Sequence, residues 1–222
     1  MESVDYRKLV HDLREEICGD EKPYSDEALK AIEEAMCGCV LIAEENLREQ
    51  DMQYENADLA REVIEYAEIL EEYDHTLNLL HSTLSRMEDA LHEHPRLMVK
   101  LKSLHLKVLR RIESIHGHDL TIAEDLMEEI SLLERNIYFA DRGEFDKIES
   151  QSMLKSDPIE WTLEWESIID KADSMVFSEL KDTPRGMGFC FAYWWKRREI
   201  LEREFGVEWR SPAVMNPRVM FD

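Results

Sequence analysis

Between residues 59 and 91, apolar side chains recur in alternating steps of four and three: Leu59, Val63, Tyr66, Leu70, Tyr73, Leu77, Leu80, Leu84, Met87 and Leu91. A repeat averaging 3.5 residues keeps one seam of a helix turned toward a partner along its whole length, so the stripe predicts a long helix packed lengthwise. Shorter stripes flank it. Leu9, Leu13 and Ile17 predict a first helix over about residues 5–18, closed by residues 19–25. Leu29, Ile32, Met36, Cys39, Ala43 and Leu47 predict a second, which Ser25 caps and Asp26 and Glu27 open with acids at the positive end of the helix dipole. The polar residues 50–56, where the apolar phase slips by one, predict a break, with Asn56 capping the long helix.

Pro95 suits the first position of the next helix, and the short turn at residues 92–95 forces an antiparallel return. Leu97, Leu101, Leu104, Val108, Ile112 and Ile115 line the returning helix, and Gly117 ends it. Thr121-Ile-Ala-Glu124 has capping-box spacing and opens a helix with Leu126, Ile130, Leu133 and Ile137 inward, stopped by Gly143. Asp157-Pro-Ile-Glu160 is a stronger start signal for a helix lined by Trp161, Trp165, Ile168, Ala172 and Val176 or Met175. A loop at 183–188, a last helix over about 189–205 and an irregular tail with Pro212 and Pro217 complete the chain. No run has strand periodicity.

The pattern therefore predicts an all-α protein, a helical bundle of six to seven helices built on a long antiparallel coiled-coil-like hairpin over residues 56–116. Residues 1–183 form an acidic bundle, and residues 184–222 an aromatic helix and irregular tail packed on the same domain. A continuous helix over residues 56–93 would be about 57 Å long. A compact globule of 222 residues is roughly 44 Å across. Either the molecule is elongated, or the helix breaks near the polar residues Ser82, Thr83 and Ser85.

Charge narrows the partners. With 27 basic against 50 acidic side chains, a net −23, the surface repels nucleic-acid phosphates and anionic lipid, so direct nucleic-acid or membrane binding is not expected. No apolar run approaches the length of a membrane span and the N-terminus is acidic from its second residue, so a cytoplasmic protein is expected. Cys18, Cys37, Cys39 and Cys190 are too few and too unevenly spaced for a disulfide framework and read as small reduced thiols.

The charge is uneven. Residues 185–222 hold seven basic and five acidic side chains together with eight of the chain's 19 aromatics. Aromatic faces beside guanidinium groups suit a ligand or partner site, with Tyr193, Trp194, Trp195, Lys196, Arg197, Arg198 and Trp209 as candidates. A competing constellation is the pair of ExxH tetrads Glu72/His75 and Glu113/His116, which the hairpin brings level as in carboxylate-bridged di-metal sites. The helical frame sends Glu72 and His75 to solvent and sets Glu113 and His116 off their own stripe, so no metal is expected. His92 and His94 lie about 33 Å of helix from His116 and His118 and cannot share a metal within one chain. Neither an EExxE tetrad nor a phosphate-loop, dinucleotide, nucleophile-elbow or HExxH motif is present.

No cofactor is expected. The leading expectation is a non-catalytic interaction or scaffold protein that self-associates, a homodimer, because a seam longer than the globule has apolar surface to cover. The rival is an enzyme or small-molecule and anion binder using the aromatic and basic C-terminal segment. A third is an acidic mimic of nucleic acid directed at a basic partner.

Overall fold

The computed structural model describes residues 5–17, 24–150 and 153–221, and among them every regular element is helical. Among these residues nine α-helices follow one another: α1 Tyr6–Ile17, α2 Asp26–Glu49, α3 Asn56–Leu70, α4 Leu77–Glu88, α5 Pro95–His116, α6 Thr121–Asp141, α7 Leu163–Glu179, α8 Phe189–Ile200 and the single turn α9 Pro212–Met215. That exceeds the predicted six to seven because the long helix is divided and the tail forms a turn of its own. Cys18 and most of the predicted 19–25 link lie outside the described residues. Ser25 caps α2 as expected, its hydroxyl accepting from the Ala28 N–H at 3.1 Å.

The long helix breaks, but not at Ser82–Ser85. Thr83 is buried inside α4, and the interruption falls at residues 71–76. Tyr73 is extended there and Asp74–Thr76 makes a 3₁₀ turn. With no Gly or Pro to mark it, this break is held by side chains that satisfy the freed carbonyls. The Thr76 hydroxyl donates to Leu70 O at 2.6 Å and Tyr73 O at 2.7 Å. Arg111 donates to the carbonyls of Glu71 and Glu72 and pairs with Asp74 at 2.6 Å. Every stripe residue from Leu59 to Leu91 is nonetheless buried or half-buried, so the apolar phase survives the interruption.

The stripe is covered from within the chain. One apolar cluster joins Val10 of α1, the inward faces of α2, α3 and α4, and Leu97, Leu101, Leu104 and Val108 of α5. Contacts between residues 71 and 107, 81 and 105, and 88 and 102 run in opposite senses along the α3–α4 segment and α5. The far side of α5 is buried too, with Leu109 packed on Ala123, Leu126 and Ile130 of α6. Ile115, predicted inward, is 52% exposed, although Glu113 in the same turn is buried. Between α4, α5 and α6 lies a polar seam: Glu88 meets His105 Nδ1 at 2.9 Å, His105 Nε2 meets His81 at 2.8 Å, and Lys102 reaches Glu88 and Glu129.

A second apolar cluster is built from Trp165, Ile169, Ala172 and Val176 of α7 with Phe189, Ile200, Leu201, Val207 and Trp209. The aromatic segment thus shares its core with α7. The predicted last helix runs as α8 and then as one π-helical turn, Leu201–Phe205, closed by Gly206 in the left-handed region.

Two predicted caps act differently. Thr121 makes no cap bond; the Glu113 carboxylate accepts from the Leu120 N–H at 2.6 Å instead. Asn56 does not cap α3 either: it is buried, its amide oxygen accepting from Asn46 Nδ2 at 2.8 Å. The Asp157/Glu160 capping box forms, but on the 3₁₀ turn Pro158–Trp161, after which Thr162 caps α7.

Gly38 marks the closest approach of α1 and α2, since a Cβ there would overlap the fully buried Val10. Gly38→Ala is therefore expected to destabilise the protein by about 1 kcal/mol, the crowding of about 1–3 kcal/mol outweighing a helix-propensity gain near 1 kcal/mol. In a Val10→Ala background the same change is expected to be stabilising. Urea unfolding of the four proteins of this double-mutant cycle checks both signs.

Candidate functional site

The spacing of residues 189, 193, 197 and 200 places Phe189, Tyr193, Arg197 and Ile200 on one face of α8, turned toward α7 and the turn before α5. Arg197 is 5% exposed. Its Nε donates to Asp173 Oδ1 at 2.7 Å, and its Nη2 to Glu93 Oε2 at 2.9 Å and to the Tyr193 hydroxyl at 2.5 Å. Second contacts to both carboxylates make each pair bidentate, the geometry a guanidinium fork favours. The cation also lies 4.7 Å from the Tyr193 ring centre and 5.4 Å from that of Trp209.

Helix α7 supplies the opposing charge in a row. Glu166, Asp170 and Asp173, at spacings of four and three, each meet a group at the end of the α4–α5 turn or on α8. The Glu166 carboxylate accepts from the backbone N–H groups of Arg96 and Leu97 at 3.1 and 3.0 Å, capping α5 from another helix. Asp170 lies 2.9 Å from Nε2 of the buried His94. Burial works against protonation of His94, but Asp170 prevails and raises its affinity for a proton.

One guanidinium stands between a buried carboxylate, Asp173, and a half-buried one, Glu93, and they share it unequally. Burial opposes the charged form of Glu93, yet Arg197, with help from His92, holds it well below the ordinary carboxylate range. Burial pushes Asp173 upward against the pull of Arg197, and the negative Glu93 pushes the same way.

Beside this network lies a cavity of about 580 Å³, walled by Glu93, Glu160, Arg197 and the indoles of Trp161, Trp194 and Trp209. Glu160 contributes a carboxylate that no cationic side chain among the described residues pairs with. Its Oε1 accepts from Trp209 Nε1 at 2.7 Å and, weakly, from the Asp157 N–H at 3.4 Å. Burial first, and then the negative Glu93, push Glu160 up to about 7, against the pull of the Trp209 N–H and of Arg197. Such a carboxyl changes charge near neutrality.

Of the candidates from the sequence, Tyr193, Trp194, Arg197 and Trp209 come together at this cavity. Trp195, Lys196 and Arg198 do not line it. Trp195 is 59% exposed on the opposite face of α8. Lys196 pairs with Glu179 at 2.9 Å and Glu199 at 2.8 Å, and Arg198 is exposed. The seven candidates therefore do not gather at one cavity, and the guanidinium among the four that do is engaged by Glu93 and Asp173. Glu93, Glu160 and Asp173 went unrecognised in the sequence. The acid row of α7 beside buried Trp165 and Ile169 was a readable signal for Asp173; Glu160 was hidden by its second role as a cap.

The two ExxH tetrads stay apart. Among the described residues no group of three or more His, Cys, Asp and Glu is placed to hold a metal ion. His75 is exposed in the 3₁₀ turn and His116 is exposed at the end of α5. Glu113, predicted to face away from the core, is buried and engaged by the Leu120 N–H and by Arg110 at 2.8 Å. Arg111 already supplies a cation where Glu72 meets α5. Cys39 is buried, its thiol pushed up to about 12 chiefly by burial, as an inert core cysteine.

Arg197→Ala is expected to cost about 3–5 kcal/mol at neutral pH, because it strands the buried Asp173 and the half-buried Glu93. Without the guanidinium both acids bind protons more tightly folded than unfolded, so the deficit should shrink as pH falls toward 5. Chemical denaturation of both proteins at several pH values measures the slope. No known family model matches this chain, and neither a curated protein nor a solved structure resembles it significantly.

Proposed function

We propose that the chain is a helical ligand-binding protein whose cavity takes a small organic cation, an ammonium compound, against Glu160. The observation that carries this reading is the Glu160 carboxylate, bordering an indole-walled cavity and paired with no cationic side chain among the described residues, Arg197 being engaged by Glu93 and Asp173. Indole faces and a desolvated carboxylate together are the chemistry by which proteins bind ammonium groups. The net −23 favours the same sign of ligand, since an acidic surface concentrates cations near the cavity mouth. The anion-binding alternative loses its support because Arg197 and Lys196 are both engaged by carboxylates. In this reading the bundle and antiparallel hairpin expected from the stripe are a scaffold that holds the α4–α5 turn against α7 and α8.

Calorimetric titration with a trimethylammonium alcohol, its uncharged carbon isostere and a carboxylate of similar size tests the reading. The cation alone is expected to bind. Its affinity should rise about tenfold between pH 6 and 8 as Glu160 loses its proton, and Glu160→Gln should remove both the binding and the pH dependence. Equal affinity for the uncharged isostere, or no binding of the cation, would overturn it.

A second reading, self-association, has its own support. Phe191 and Trp195 project from the outward face of α8, 47% and 59% exposed, and apolar residues grouped on a surface suit an interface. The expected result is a dimer by light scattering that Trp195→Glu disperses to monomers. A monomer at all concentrations would leave the outward face unaccounted for by a second copy.

A further inference from the structure

The wall of the cavity of about 580 Å³ carries charge of both signs, and two of its charged side chains are unpaired. Glu93 and Arg197 are bonded to each other, and His92 acts on Glu93. Glu160 is met by N–H groups alone among the described residues. Lys155 is the second: it lines the same wall, is exposed, and its ammonium group bonds to nothing among the described residues. Although both border one space, Glu160 and Lys155 do not pair with each other. The charges that bear most on Glu160 are Glu93 and Arg197, so Lys155 stands apart from it.

The backbone fixes where that lysine starts. The buried Asn216 amide holds residue 155 from both sides. Its Oδ1 accepts from the Lys155 N–H at 2.9 Å, and its Nδ2 donates to the Lys155 carbonyl at 2.8 Å and to Pro212 O at 2.9 Å. Pro212 is itself on the cavity wall. Two residues beyond Lys155, the Asp157 N–H meets Glu160. The chain therefore sets an anchored lysine and an unpaired carboxyl on one wall, with the indoles of Trp161, Trp194 and Trp209 lining the same space. A lysine stem is flexible, so its ammonium can follow the negative end of a ligand while Glu160 holds the positive one.

We infer that the ligand is a zwitterion, an ammonium carboxylate of the amino-acid or betaine kind, its ammonium end at Glu160 against the indoles and its carboxylate at Lys155. This rests on the cation reading above and names the class of molecule more closely. A plain cation would answer Glu160 and leave Lys155 without a partner; a plain anion would do the reverse. A zwitterion answers both, and it adds no net charge to a wall on which Glu93 and Glu160 are matched in number by Lys155 and Arg197. The two contacts differ in strength. Glu160 is half-buried beside the indoles, where a charge contact is strengthened by the scarcity of water, whereas Lys155 is exposed and its contribution is small and screened by salt.

Calorimetric titration at low ionic strength with trimethylammonium carboxylates of increasing spacer length, each beside the trimethylammonium alcohol of the same length, tests the class. At least one carboxylate is expected to bind about fivefold more tightly than its alcohol, and the gain should fade in high salt. Lys155→Met should remove the gain and leave the alcohol's affinity no weaker. Lys155→Glu should turn the gain into a preference for the alcohol. The Lys155 side chain makes no bond among the described residues, so both variants should fold as the parent does, which a thermal melt verifies. Alcohols that bind while no carboxylate binds more tightly, or a gain that survives in Lys155→Met, would overturn the zwitterion and leave the cation reading standing. Failure of every compound to bind, alcohols included, would instead remove the cation reading and this inference with it.

Discussion

The end of the molecule that carries the cavity depends on one buried cation. Arg197 reaches carboxylates 24 and 104 residues away along the chain, on α7 and on the turn before α5. Desolvating these charges is expensive, and their mutual attraction repays it only in one arrangement, with both carboxylates met by the guanidinium fork. An apolar contact tolerates sliding by a turn; this one does not. The ion network therefore ties α8 to α7 and both to the α4–α5 turn.

The same network explains the character of the cavity beside it. Three carboxyl groups, from Glu93, Asp173 and Glu160, approach a single guanidinium, so compensation is incomplete from the outset. The two that touch Arg197 divide its charge, and Glu160, held only by an indole N–H and a backbone N–H, is left outside the arrangement. The excess carboxyl lies at the wall of a space that Arg197 and Lys155 also border.

Much of the fold was legible because its signals are local. The heptad steps from Leu59 to Leu91 identified the buried face, Ser25 and Pro95 the starts of α2 and α5, and Gly117 the end of α5. The break at residues 71–76 was not legible, since it depends on Arg111, which arrives from a helix whose placement the sequence does not state. The candidate site divides in the same way. Tyr193, Arg197 and Trp209 stood out as aromatic and basic residues in an acidic chain. Yet a sequence-based count treats Arg197 as a free charge, whereas Glu93 and Asp173 neutralise it from afar. The guanidinium is thus engaged by contacts that no nearby spacing announces.

The capping of α5 by Glu166 has a bearing on how the chain assembles. The first turn of α5 is completed by a carboxylate about seventy residues further on, and the preceding Glu93 meets its cation 104 residues later. During synthesis from the N-terminus, the apolar cluster of α1 to α5 can condense early, since its contacts are made among residues already available. The α4–α5 turn cannot. It must wait until α7 and then α8 emerge, the same helices that build the second apolar cluster, so the cavity end closes after the first cluster has formed.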